Sequence, residues 1–133
     1  MHSTNYTNTL ISPSEDTTAK AGTVPVKAES VAGLQYQLLS EASYTLTGDD
    51  VLVAVTAMRR GVPADEQNAL REELFRKGQP CLRTSPLVKT HGWAVHYNKD
   101  GRIALVGCET ATYRALSTAP DITQVKGMRS KRA

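Results

Sequence analysis

Between Leu74 and Lys99 the chain carries Arg76, Lys77, Arg83, Lys89 and Lys99, and neither Asp nor Glu. Cys81, His91, Trp93 and His96 fall in the same stretch. This combination suits an anionic ligand. The Arg83 guanidinium can grip a carboxylate or phosphate through two parallel hydrogen bonds, while Lys89 adds a point charge. Cys81, His91 and His96 are side-chain types that pockets use for orientation, and they complete the set of candidate ligand-binding residues. The expected ligand is an anionic small molecule or a partner segment. The plainer alternative is a solvated cationic face wrapped around the core.

A second chemistry is open to the same residues. Cys81 could act as a nucleophile with His91 or His96 as its base, because a thiolate needs a nearby cation or imidazole to form at neutral pH. Flanked by Pro80 and Leu82, Cys81 equally suits a packing role, so whether the chain is an enzyme stays open. None of the usual phosphate-loop, dinucleotide, nucleophile-elbow or H-E-x-x-H patterns occurs. Neither C-x-x-C nor H-x-x-x-H spacing is present, which argues against a metal site, and no cofactor is expected. Cys81 and Cys108 are expected to be free thiols, since a chain of 133 residues can bury a core without staples.

Net charge adds little. Lys126, Arg129, Lys131 and Arg132 supply four positive charges with no acid between them, which exceeds the whole formal excess of +3. The apparent basicity therefore belongs to the C-terminal residues. They could touch a polyanion, yet they carry neither aromatics nor a groove-reading element, so nucleic acid is not the expected partner. Nothing in the sequence marks an oligomer interface, and a homodimer is left open.

The elements that must position these residues follow from spacing and capping. Tyr6 to Ser12 alternates as a short strand would and is stopped by Pro13. Residues 17–29 lack periodicity and read as a surface connection. Ser30 can cap a helix to Ala42 whose apolar stripe is Val31, Leu34, Leu38 and Ala42, with Tyr36 off that stripe and partly exposed. Thr47 can cap a second helix with Asp49 and Asp50 in its first turn, Arg59 and Arg60 in its last, and Gly61 beyond it. A third has Pro63 in its first turn and Gly78 just beyond its end, burying Leu70, Leu74 and Phe75 and offering Glu72–Arg76 and Glu73–Lys77 pairs on its exposed face. Pro80 and Pro86 then predict an extended segment over 79–89. Trp93, Val95 and Tyr97 alternate toward a turn at Asp100-Gly101, beyond which Ile103 and Leu105 alternate in turn, the clearest hairpin in the chain. A three-residue turn pairs Tyr97 with Ile103 and Val95 with Leu105. It sends Trp93, Val95 and Tyr97 to the core and His96 to the opposite face with Arg102. Glu109 to Leu116 reads as a short helix.

These elements predict one α+β domain over residues 1–119, with three central helices packed on a small antiparallel sheet that contains the C-terminal β-hairpin, and a flexible basic tail over 120–133. Met1-His2-Ser3 lacks the basic start of a secretory signal, and the longest apolar run, Val51 to Val55, is far short of the ~20 residues of a membrane span. The expectation is a protein outside the membrane and the secretory route.

Several short stretches together resemble a family of small bacterial proteins that carries a domain-of-unknown-function label. They are Asn5-Tyr6-Thr7-Asn8-Thr9, Leu34-Gln35-Tyr36, Thr47-Gly48-Asp49-Asp50-Val51-Leu52, Lys77-Gly78-Gln79-Pro80-Cys81-Leu82-Arg83 and Gly92-Trp93. The resemblance covers most of residues 4 to 116, with the block from Lys77 to Leu87 its most specific part. It implies a bacterial, cytoplasmic protein and brings no activity, catalytic residue or cofactor with it.

Overall fold

Trp93–Tyr97 (β2) and Ile103–Gly107 (β3) form the expected hairpin, and Tyr97 pairs with Ile103 and Val95 with Leu105 as the three-residue turn requires. Gly101 adopts φ 77° in that turn, and Asn98 steadies it by accepting the Asp100 and Arg102 N–H groups on its side-chain oxygen. The structure is a computed structural model that describes residues 4–129. On the inner side of β2 lies Thr9–Ser12 (β1), antiparallel to it with Ile11 opposite Val95.

The α+β class holds, but the sheet is mixed. Thr123–Lys126 (β4) runs parallel to β1, giving the order β3-β2-β1-β4. Part of the segment assigned above to a flexible tail is thus a strand. Its cause is the free side of β1, whose backbone groups would otherwise be buried without partners. The remaining tail residues, 130–133, lie outside the described residues.

One sheet face carries Ile11, Val95, Tyr97 and Ile103 and is covered by Val31–Glu41 (α1) and Gly48–Arg60 (α2), with Leu39, Val51 and Val55 completing the core. The other face, Leu10, Ala94 and Val106, is covered by Ala111–Ser117 (α5) on the crossover from β3 to β4, through Tyr113 and Leu116. Helices therefore pack on both faces, because all four residues of β1 are buried. Gln67–Lys77 (α3) does not face the sheet. It packs Leu70, Leu74 and Phe75 against Val53 and Ala57 on the back of α2. That double burial explains the strand-like run at Val51 to Val55: residues 51 and 55 meet the sheet while 53 and 57 meet α3.

The caps of α2 are as the sequence predicts. Thr47 accepts the Asp50 N–H at 3.1 Å, Asp50 accepts the Thr47 N–H at 3.0 Å, and Gly61 closes the other end with φ 69°. Ser30 caps α1 by accepting the Gly33 N–H. The apolar stripe of α1 is displaced by one position, however. Leu39 and Gln35 are the deeply buried pair, while Leu34 and Leu38 are only half-buried. A short 3-10 turn, Ala64–Glu66, precedes α3, and Glu73 lies 4.0 Å from Arg60 on α2. The segment expected to be extended, 79–89, is instead a 3-10 turn at Leu82–Thr84 followed by Pro86–Lys89 (α4). Pro86 starts that helix, where its missing N–H costs nothing, and Ser85 caps it.

The surface connection over 17–29 is laced to the start of β2. Trp93 Nε1 donates to Thr23 O at 2.8 Å, the Thr23 N–H donates to His91 O at 2.9 Å, and Gly22 lies so close to the indole that a Cβ there would meet it at 2.8 Å. Trp93 is accordingly half-buried under this connection and beside Tyr36, at 5.7 Å between ring centres, rather than fully in the core. Among the described residues no helix is long and apolar enough to cross a membrane.

Two predictions follow from these contacts. Gly92 has φ 77°, and a Cβ there would lie 2.2 Å from Ala21 O. Gly92→Ala is expected to cost about 1–3 kcal/mol in urea unfolding and to shift the emission of Trp93, the sole tryptophan, to the red. Unchanged emission would contradict the lacing. At Asp50, partial burial pushes the carboxyl up, but the bonds from Thr47 and Arg71 more than offset this and hold it below its ordinary value. A depressed acid contributes stability that is present above its unfolded pKa of ~3.9 and lost as pH falls through the folded value. Asp50→Ala should therefore cost about 1 kcal/mol near neutral pH, with the gap to the wild type closing as both are titrated below the unfolded value.

Candidate functional site

The block from Gly78 to Lys89 folds back on itself. Gly78 turns the chain with φ 81°, and Gln79 Nε2 donates to Leu74 O, tying the block to the end of α3. Within it the 3-10 turn sends neighbouring side chains to different places. Cys81 lies on the inner side, where Tyr6 Oη is 3.4 Å from its Sγ. Arg83 points toward β4, with Nε donating to Lys126 O at 2.6 Å. Lys89 closes α4, half-buried.

The histidines do not join Cys81. His91 Nδ1 lies 3.0 Å from Pro86 O and 2.9 Å from Thr90 Oγ1, and His96 Nδ1 lies 2.8 Å from Tyr44 Oη. His96 sits on the opposite face of the hairpin, as the register requires. Tyr44 reaches it because residues 44–47 clasp the outer edge of β3, with the Tyr44 N–H donating to Ile103 O and the Ile103 N–H to Leu46 O. Burial holds the His96 imidazole below its ordinary range. The polar partner of Cys81 is thus a phenol, and the bond to Cys81, with burial, pushes Tyr6 above the usual tyrosine range. A cysteine–histidine pair is not assembled. Both cysteines are free thiols, and at Cys108 burial and then the Glu109 carboxylate push the thiol up. Among the described residues no group of three or more His, Cys, Asp or Glu is placed to hold a metal ion.

Arg83 finds cationic company elsewhere. It lines a cavity of about 440 Å³ with Lys126, Met128, Arg129 and Glu15. Four backbone and side-chain bonds fix this wall: the Met128 N–H donates to Arg83 O, the Gly127 N–H to Ser12 O, Ser14 Oγ to Met128 O, and Arg83 Nε to Lys126 O. Gly127 is required there, since a Cβ would meet Val88 Cγ1 at 2.2 Å. Arg129 reaches Glu15 at 4.0 Å with both side chains about half exposed, a weak pair by its geometry. Arg83 and Lys126 have no carboxylate partner among the described residues, and the terminal nitrogens of Arg83 make no hydrogen bond there.

A second, smaller cavity of about 190 Å³ opens beside Cys81, between α1, the start of α2 and the 80–86 turn. Gln35, Thr4 and Gly48 are in its wall. Neither basin contains Lys89, His91 or His96, so the five candidate residues do not converge on one site. The sequence reading missed Lys126 and Arg129 by assigning them to a tail. The signal available was Ile122 and Val125 in that segment, two apolar residues with a surface to cover.

No curated protein and no solved structure matches the chain. A family model does match, over residues 1–133, and its family is described as one of unknown function. The stretch that lays Cys81 and Arg83 on opposite sides of one turn, and the strand that brings Lys126 to Arg83, are both within that match, and the chain belongs to this family, DUF6157.

Proposed function

We propose that the chain is a binding module for an anionic small molecule bearing a phosphate or carboxylate, held in the basin that Arg83 shares with β4. The observation that supports this reading is the state of Arg83. Its Nε is fixed on Lys126 O at 2.6 Å, which orients the guanidinium plane, while its two terminal nitrogens make no hydrogen bond among the described residues, in a basin shared with Lys126 and Arg129. A planar fork held by one edge has little rotamer freedom left to lose, and two parallel bonds to an oxyanion match its geometry. Among the described residues that line the basin, three cations and one acid, Glu15, leave an excess of positive charge that an anion would relieve. Lys89 and His96, offered earlier as further grips, are not in this basin. Lys126 and Arg129 take their place.

Thermal unfolding with inorganic phosphate or citrate tests the reading. A ligand at about one hundred times its Kd adds about 2.7 kcal/mol of stability, so the wild type should gain several degrees in Tm beyond the general salting effect that both anions exert on any protein. Arg83→Lys keeps the charge but not the fork and should lose most of that gain, and Lys126→Ala should lose part of it. Raising sodium chloride should erode the wild-type gain. Equal gains in wild type, Arg83→Lys and Lys126→Ala would overturn the proposal.

A further inference from the structure

The cavity beside Cys81 differs in chemistry from the Arg83 basin. Val31, Leu52, Leu82, Pro80 and Pro86 are in its wall, and among the described residues no Lys, Arg, Asp or Glu lines it. A charged group entering would lose its hydration with nothing to replace it. Its volume equals roughly six waters at ~30 Å³ each and is below the ~300 Å³ at which sites for drug-sized ligands begin. The wall therefore selects a small, uncharged molecule.

Two polar groups say what that molecule carries. Gln35 is 6% exposed and lines the cavity. Its Oε1 accepts the Ser85 hydroxyl, and Ser85 Oγ in turn accepts the Leu87 N–H. This chain fixes the amide so that Nε2 is the free end, and Nε2 makes no hydrogen bond among the described residues. Nε2 is thus free, among the described residues, to donate to a molecule that enters the cavity.

The second group is Tyr97. It is 0% exposed, and its hydroxyl is the single buried side-chain polar atom among the described residues that has no partner. The ring edge lies against Gly48, where a Cβ would stand 3.4 Å from Tyr97 Cε2, and the ring of Tyr6 packs on it edge-on at 5.3 Å. Gly48 and Cys81 are both in the cavity wall, and Tyr6 Oη contacts Cys81. Tyr97 itself is not in the cavity wall, but its ring edge lies against Gly48, which is. Burial, with Cys81, Tyr6 and Asp49 nearby, pushes Tyr97 far above the usual tyrosine range, so it stays a neutral hydroxyl and retains its proton to donate.

We propose that this cavity is a second binding site, for a small uncharged amide or carbonyl compound. Its oxygen is received by Gln35 Nε2, its apolar part lies against Val31, Leu52 and Leu82, and Tyr97, whose ring edge lies against Gly48, offers a further donor. The site is independent of the Arg83 basin: it takes a neutral ligand where that one takes an anion.

Benzamide and benzoate share a shape and differ in charge, and Cys81 in the wall reports on occupancy. The folded protein is treated with iodoacetamide, and alkylation of Cys81 and Cys108 is followed by peptide mass spectrometry, with Cys108 as the internal reference. Benzamide at twice its Kd should slow Cys81 alkylation about threefold and leave Cys108 unchanged, and benzoate should protect neither. Gln35→Met keeps the side-chain length without the donor and should abolish the protection. Tyr97→Phe removes a hydroxyl that has no partner, so it should fold with an equal or higher Tm while weakening protection by benzamide. Equal protection by benzoate, no protection by benzamide, a Cys81 that reacts only after unfolding, or protection that survives in both variants would each overturn the proposal.

Discussion

The rest of the structure depends on β1 being buried on both faces and paired on both sides. Four residues, Thr9 to Ser12, place Ile11 under α1 and α2 and Leu10 under α5. A strand in that position must give every backbone N–H and C=O a partner, because water cannot reach them. β2 satisfies one side and β4 the other. From this requirement follow the mixed sheet, the crossover through α5, and the delivery of Lys126 to Arg83. Lys126 and Arg129 are held beside Arg83 because the strand that carries or precedes them completes the sheet.

Much of the fold was legible because it rests on local rules. The caps of α2, the Ser30 cap and the register of the β2–β3 hairpin are each set by residues within a few positions of one another, where capping and turn geometry leave few alternatives. What was not legible depends on distant partners. The apolar stripe of α1 differs by one residue from the sequence reading because Gln35 looks like a surface residue until the Ser85 hydroxyl, fifty positions on, donates to its Oε1 in the interior. Two prolines excluded one long helix over 79–89, but could not exclude two short ones, each starting afresh. β4 has mostly exposed side chains and a weak alternation, and only the open side of β1 makes it a strand.

The candidate residues were legible as a region and not as a site. Cys81 and Arg83 are two apart, and in a strand they would share a face. In the 3-10 turn that actually forms, they part, one toward Tyr6 and the other toward Lys126. The acid-free stretch from Leu74 to Lys99 thus feeds two basins of opposite character. One is cationic and fixed by backbone bonds, and the other is largely apolar with the Gln35 amide in its wall. His91 and His96 serve local contacts with Pro86, Thr90 and Tyr44.

The pairing of β1 with β4 also bears on how the chain comes to be folded. Ser14 and Met128, which meet just beyond the last paired residues, are 114 positions apart. Loop closure over such a distance is costly in entropy and yields its contacts late. During synthesis β1 is made long before β4, and one of its sides stays open until nearly all of the chain between them has followed. Until then a buried-type strand with an unpaired edge is exposed, and such edges recruit other chains. The closing strand therefore does more than present cations: it covers the side of β1 that the growing chain has until then left open.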